Sequence, residues 1–354
     1  MSDKINTARR AFMKFACAGG LVAASPRMLR VAGAGEMRVN LYADDNLAAY
    51  GFPEGHPFGI DRQGAFLREA DEQGLLARAG SQGSREALRD EITRFHSAGY
   101  LELVSTAEER GLSLLDAGDT PVFPGVYRTS AHVVGAALDG LARIIDGQCL
   151  RTMQPIGGLH HAGRSHAAGF CVFNDMGVVI ETLRRAYNIH RVAYLDIDVH
   201  HGDGVFYAFE DDPDLIFADI HQDSRTLYPG TGREDETGKG RAEGTKLNIE
   251  LPPFSDDAEF MEAWPRIEAH FEKFKPEFFV FQCGADGLRG DPLAQLRYSP
   301  AVHAHATQRM VMLADTFAEG RIMAFGGGGY DRTNLARAWS AVLAELIGNN
   351  TQAG

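Results

Sequence analysis

The sequence predicts an α/β protein: a central, mostly parallel sheet with helices on both faces and its active site at the carboxyl ends of the strands. Three observations carry this. From Met37 onward, short strand-like runs alternate with segments of helical apolar spacing, the pattern of strands joined by crossover helices. Loops rich in Gly and Pro follow nearly every strand: HHGDG, YPGTG, GADGLRGDP and GGGGY. The unusual ionisable residues gather in those loops, where open α/β sheets bind their ligands.

Taken in order, MRVNLYA (37–43) reads as the first strand. Residues 84–97 and 126–146 carry apolar positions at helical spacing. VAYLDID follows as a strand, with a helix from about Asp203, and then LIFADIH and TKLNIE (245–250) as two more strands. A helical pattern at 256–274 leads into the strand EFFVFQC (277–283), and another at 299–319 leads into RIMAFG (321–326). A last helix covers about 333–347.

Length and composition bound the function. The chain has 354 residues, and no linker, repeat or low-complexity run divides it after Met37. Residues 37–349 are therefore read as one catalytic domain and 350–354 as a tail. The net charge of −13 argues against general binding to nucleic acid or to a membrane surface, which needs basic patches. It leaves room for a basic substrate such as a lysine side chain or a polyamine. Cys17, Cys149, Cys171 and Cys283 are scattered without a CxxC and read as free buried thiols. Residues 1–36 differ from the rest: a basic start, a weakly apolar stretch and small residues. Arg9-Arg10-Ala11-Phe12-Met13-Lys14 resembles a twin-arginine export motif. A working signal makes the protein periplasmic; a plain N-terminal extension leaves it cytoplasmic.

The chemistry starts at YLDIDVHHGDG, residues 194–204. Burying so many ionisable groups is costly unless they are paired or bound to metal. Asp196, Asp198 and His200 alternate with Leu195, Ile197 and Val199, so all three point to one side of an extended chain. Imidazole nitrogen and carboxylate oxygen suit a zinc ion. Asp286, at the end of the apolar run before it, supplies a further ligand from a second strand end. One histidine and two aspartates leave coordination positions open for water and substrate. In GGLHHAGRSHAAGFCVFND (157–175), the adjacent His160 and His161 lie beside glycines and suit general acid–base work. Each needs a carboxylate to orient its ring, and Asp196 and Asp203 are available. The loop FGGGGYDRTN (325–334) lacks the partners of a phosphate loop, and its Tyr330 hydroxyl can donate to a developing oxyanion.

Together, GGLHHA, GFCVFND, YLDIDVHHGDG, YPGTG, GADGLRGDP and GGGGY resemble the zinc-dependent histone deacetylase superfamily. Its bacterial members include acetoin-utilisation proteins and acetylpolyamine amidohydrolases, and its fold is the arginase–deacetylase fold. The resemblance runs from about Met37 to the last helix. It implies that Asp198, His200 and Asp286 hold zinc, and that His161, held by Asp203, is general base and acid. It pairs His160 with Asp196 and gives Tyr330 the carbonyl-polarising role. Phe170 and Tyr228 match the aromatic walls of an acyl-lysine tunnel, and Asp119 matches a rim aspartate that holds the substrate backbone. Arg62, in GHPFGIDR, matches the arginine of an acetate-release channel through a weaker motif. A structural potassium ion is implied near Asp196, His200 and Asp219, but a serine is usual where this chain has Asp219.

The expected reaction is hydrolysis of an N-acetyl- or acyl-lysine amide, in a protein or peptide, releasing acetate and a free amine. The alternative substrate is an acetylated small amine such as an acetylpolyamine. Leu293 stands where polyamine-specific relatives place a glutamate, and its apolar side chain favours acyl-lysine. An arginase-like dinuclear ureohydrolase would need a second metal cage, and the HH pair and Tyr330 speak against it. A silent acetyl-lysine-binding module should have lost a ligand or Tyr330. Acyl length and homo-oligomerisation stay open.

Overall fold

The structure, a computed structural model, describes residues 39–53 and 55–348. The N-terminal extension with its Arg9-Arg10 motif, Cys17 and the C-terminal tail lie outside the described residues. The strands are β1 (Val39–Tyr42), β2 (Gly80–Gln82), β3 (Arg151–Gln154), β4 (Val192–Asp196), β5 (Leu215–Gln222), β6 (Lys246–Leu251), β7 (Phe278–Gln282) and β8 (Ile322–Phe325). They form one sheet in the order β2-β1-β3-β8-β7-β4-β5-β6. Every pairing is parallel. The helices are α1 (Asp45–Ala48), α2 (Arg62–Glu72), α3 (Arg89–Ile92), α4 (Ala98–Ser105), α5 (Val126–Ile145), α6 (Asp175–Tyr187), α7 (Asp203–Ala208), α8 (Asp257–Phe274), α9 (Pro300–Phe317) and α10 (Arg332–Ile347).

Alternation along each strand builds two cores. On β4, Val192 and Tyr194 enter the core shared with α4, α5 and α6, whereas Ala193 and Leu195 enter the one shared with α2, α8, α9 and α10. On β7, Phe278 and Val280 face the first and Phe279 and Phe281 the second. Such strands are apolar on both faces, as a sheet covered by helices requires. Burying one such phenylalanine side chain contributes roughly 1.5–3 kcal/mol. No helix among the described residues is long and apolar enough to cross a membrane.

Helix ends follow local chemistry. Asp256 caps α8 and exchanges hydrogen bonds with Glu259, Ser299 caps α9 ahead of Pro300, and Asp331 caps α10. Asn174 caps α6, and Asn188 ends it in the left-handed conformation. The helix expected at 84–97 is replaced by an extended run, the single helical turn α3 and further turns, and α4 begins only after it. Here tertiary contacts override the periodicity. Ser84 donates to Asp44 at 2.7 Å, and the Ala87 N–H donates to the Ala131 carbonyl on α5 at 2.9 Å. Ala87, Ile92 and Phe95 are buried as the pattern requires, but from a chain stretched across α5. The helices α2 and α6 and the strands β2 and β3 were not expected. β3 reads RTMQ, polar in sequence yet wholly buried.

The strand order positions the site. β3, β8, β7 and β4 are consecutive neighbours, although far apart in the chain. The loops leaving their carboxyl ends carry His160 and His161, Tyr330, Asp286, and Asp198 with His200. Four distant motifs therefore meet at one edge of the sheet.

Candidate metal centre and active site

Asp198, His200 and Asp286 are buried and offer ligand atoms within 4.8 Å of one another. His200 Nδ1 lies 3.0 Å from Asp198 Oδ1 and 3.1 Å from Asp286 Oδ2. Those separations approach the roughly 3.3 Å edge of a tetrahedron with ~2.0 Å zinc–ligand bonds. The other oxygen of each carboxylate is already committed. Asp198 Oδ2 accepts from Gln282 Nε2 at 2.9 Å and Gly328 N–H at 2.8 Å, and Asp286 Oδ1 accepts from Val199 N–H at 3.0 Å. Outer donors thus turn one oxygen of each aspartate toward His200 Nδ1, as metal sites require.

The electrostatics call for a cation at this point. Burial and the neighbouring Asp198 raise Asp286 to about 6. Burial alone would lower His200, but hydrogen bonds to Asp198 and Asp286 reverse this and raise it to about 10. Two buried carboxylates need positive charge, and a divalent ion on this N,O,O donor set would supply it. Glycines leave the necessary room: a Cβ on Gly284 would lie 2.1 Å from Asp198 Oδ2, and one on Gly328 would lie 2.0 Å from Asp286 Oδ2. The residues present fit a zinc ion.

The histidine pair sits beside the triad. His160 Nδ1 lies 2.8 Å from Asp196 Oδ2, and His161 Nδ1 lies 2.6 Å from Asp203 Oδ1, the pairings expected. Burial and then His160 hold His161 below the usual imidazole range. The loop carrying both is anchored by Asp175, which accepts the N–H groups of Gly158 and Leu159 at 3.0 and 2.9 Å. Burial raises Asp175 to about 6. Burial, then Asp219 and Asp198, push Asp196 well above the usual carboxylate range.

Asp219 faces Asp196 across the β4–β5 pairing. Its carboxylate accepts from His221 Nδ1 at 2.7 Å and Gly202 N–H at 2.8 Å. Burial opposes protonation of His221, but Asp219 outweighs it and raises the imidazole. Asp196 meanwhile accepts from His160, the Tyr194 hydroxyl and the Asp198 N–H.

Above the triad opens a pocket of about 210 Å³, lined by Asp119, His161, Phe170, His200, Leu227, Tyr228, Leu293 and Tyr330. All four residues expected to contact substrate are among them. Asp119 Oδ1 also accepts from Gly169 N–H at 3.1 Å, which ties the rim to the Phe170 wall. The Tyr228 ring packs edge-on to His161 at 5.1 Å, and Phe170 packs edge-on to Tyr330 at 5.9 Å. Beneath lies a smaller cavity of about 10 Å³, bordered by His160, His161, Asp198, His200 and Tyr330. That is about the room one water molecule needs. Burial, then Asp286 and Asp198, keep Tyr330 well above the usual phenol range, so its hydroxyl remains a donor.

Arg62 is wholly buried behind the glycine loop. It donates to the Gly329 and Gly327 carbonyls at 2.9 and 2.6 Å and stacks on Phe58 at 4.0 Å. Burial lowers it to about 10, and its Nη1 has no hydrogen-bond partner among the described residues. Cys149, Cys171 and Cys283 are free and buried.

Sequence reasoning gave no role to Gln282, Tyr194, Asp175 or Asp291. Tyr194, Asp175 and Asp291 lie inside the quoted motifs, and Gln282 is a polar residue near the end of an apolar strand.

Comparison with known proteins finds relatives along most of the chain. A sequence profile described as "Histone deacetylase domain" matches residues 56–346. The chain is similar to the "Acetoin utilization protein AcuC" of Bacillus subtilis (strain 168), 36% identical over 276 residues that cover 75% of this chain and 70% of the relative. The AcuC protein of Staphylococcus xylosus is 32% identical over 323 residues, covering 89% and 83%. Among solved structures, an HDA15 HD domain superposes with a TM-score of 0.80 at 26% identity, covering 88% of this chain and 89% of that one.

Proposed function

The chain belongs to the histone deacetylase family and is a deacetylase, and from this premise we propose that it is a zinc-dependent amidohydrolase acting on acetyl-lysine side chains. The observation that carries the reading is the convergence of His200 Nδ1 with one oxygen each of Asp198 and Asp286. It lies at the foot of a pocket walled by Phe170 and Tyr228. Zinc held by these three residues would polarise the amide carbonyl and make a water more acidic.

The protein's own groups do the rest. Phe170 and Tyr228 take the methylene stem of the lysine, and Asp119 and Leu293 meet what projects from the mouth. With Nδ1 committed to Asp203, His161 keeps Nε2 for the water proton. Its lowered basicity leaves that nitrogen unprotonated near neutral pH. The same nitrogen then delivers the proton to the leaving amine. Asp203 orients the ring and stabilises the imidazolium in between. His160, paired with Asp196, borders the reacting atoms from the other side. The Tyr330 hydroxyl donates to the oxyanion that develops on the carbonyl. The unpartnered Nη1 of Arg62 supports a route for acetate past the glycine loop.

The test combines metal content with turnover. Purified protein should hold one zinc per chain, lose activity on chelation, and prefer acetyl-lysine peptides over acetylated polyamines. Tyr330→Phe should lower kcat by ~100–1000-fold with little change in KM. Full turnover by metal-free protein would overturn the zinc reading, and an unchanged kcat in Tyr330→Phe would remove the tyrosine from the mechanism.

A further inference from the structure

Tyr330 follows four glycines, and Gly327 and Gly329 have φ of +66° and +119°. Such a segment brings no side chains of its own, and Arg62 and Asp198 hold only the glycines that precede Tyr330. Other groups must hold the tyrosine itself.

The tyrosine backbone is gripped from both ends. Its N–H donates to Asp291 Oδ2 at 2.8 Å, and its carbonyl accepts from Arg332 Nη1 at 2.8 Å. Each partner also holds a different loop of the pocket. Asp291 Oδ1 accepts the Leu293 N–H at 3.0 Å, and Leu293 lines the mouth. Arg332 Nη1 also donates to the Pro57 carbonyl at 3.0 Å, and its Nε and Nη2 reach the two oxygens of Asp61 at 2.9 and 2.6 Å. Between those positions lies Phe58, which borders the inner cavity. One buried carboxylate and one guanidinium thus join the two pocket loops to the same tyrosine.

We infer that Asp291 and Arg332 are positioning residues that fix the Tyr330 hydroxyl relative to the pocket loops. The inference rests on the role proposed above for Tyr330 and adds the parts that aim it. A carboxylate suits position 291 because its two oxygens serve two loops, Oδ1 toward Leu293 and Oδ2 toward Tyr330. An asparagine offers one oxygen and one NH2, so one of the two loops would face a donor instead of an acceptor. At position 332, glutamine is too short and too narrow to span Tyr330, Pro57 and Asp61 as the forked guanidinium does.

The experiment is a double-mutant cycle. Asp291→Asn and Arg332→Gln are each made in the wild type and in Tyr330→Phe, and kcat and KM for an acetyl-lysine peptide are measured per bound zinc. In the wild type each substitution should lower kcat by ~10–100-fold, part of what one oxyanion donor supplies. In Tyr330→Phe each should lower it by less than about 2-fold, because the hydroxyl being aimed is gone. A loss of equal size in both backgrounds, or no loss in the wild type, overturns the inference. Should Asp291→Asn fail to fold, Arg332→Gln carries the same cycle, since the Arg332 side chain is 30% exposed. Tyr330→Phe without effect by itself would count against the proposed function, whereas equal losses in the two backgrounds count only against the positioning role.

Discussion

Replacing Gly328 with alanine probes the metal site by steric means alone. Gly328 is not among the glycines with positive φ, so alanine fits its backbone without strain. Its added Cβ would lie 2.0 Å from Asp286 Oδ2 and 2.8 Å from Asp198 Oδ2. Real Cβ atoms essentially never approach within 3.0 Å, so the Asp286 carboxylate must retreat by about 1 Å (3.0 less 2.0). The oxygen displaced is the one that faces His200 Nδ1. A metal site tolerates only about ±0.2 Å in its bond lengths, so the displacement exceeds the tolerance about fivefold. Losing an outer-sphere partner typically costs ~10–100-fold in metal affinity, and displacing a ligand should cost at least ~100-fold, or ~2.7 kcal/mol. The assay is competition for zinc against a chromophoric chelator, with elemental analysis of the purified protein. Circular dichroism of both metal-free proteins checks that the fold persists. Wild-type stoichiometry and affinity in Gly328→Ala would refute the placement of the metal between Asp198, His200 and Asp286.

Leu293→Glu should shift the ratio of kcat/KM toward acetylated polyamines, since a carboxylate at the mouth attracts their distal ammonium. The shift should persist at high salt, because long-range attraction is screened within about 8–10 Å and a contact at the rim is not. A wild type that already prefers acetylpolyamines at high salt would show that Leu293 is not the selector. His96 makes a prediction about pH and stability. Its Nε2 accepts the Asn174 N–H at 2.9 Å, and burial among Phe95, Tyr100 and Phe173, beside Arg164 and His166, lowers it to about 3. The unfolded state takes up a proton below about pH 6.5 that the folded state refuses, so this stability is present above that pH and lost toward pH 3. His96→Gln keeps an acceptor for Asn174 and should reduce the stability difference between pH 7 and pH 5 by ~2 kcal/mol. Denaturant unfolding at the two pH values reads this, and identical differences in both proteins would refute it.

Much of the site was legible because its signals are local. Asp196, Asp198 and His200 alternate with Leu195, Ile197 and Val199, which all enter one core although β4 itself ends at Asp196, and the alternation is visible without tertiary information. Strand β7 announces itself as an unbroken apolar run, and α8, α9 and α10 through periodic spacing behind Asp256, Ser299 and Asp331. Where local signals were weak, the reading failed. RTMQ is buried only because helices cover both faces of the sheet, and residues 84–88 are extended only because Asp44 and α5 hold them so.

The partnerships across the sheet were beyond the sequence. Its residues name Asp198 and Asp286 as candidates, but only the pairing of β7 with β4, with Gln282 opposite Asp196, brings them to one nitrogen of His200. The same register delivers Gln282 to Asp198, and the loop after β7 delivers Asp291 to Tyr330, 39 positions away. Composition and periodicity act over a few residues and determine which groups stand at the ends of strands. Strand order and register act across the whole chain and decide which of those groups come within hydrogen-bonding distance.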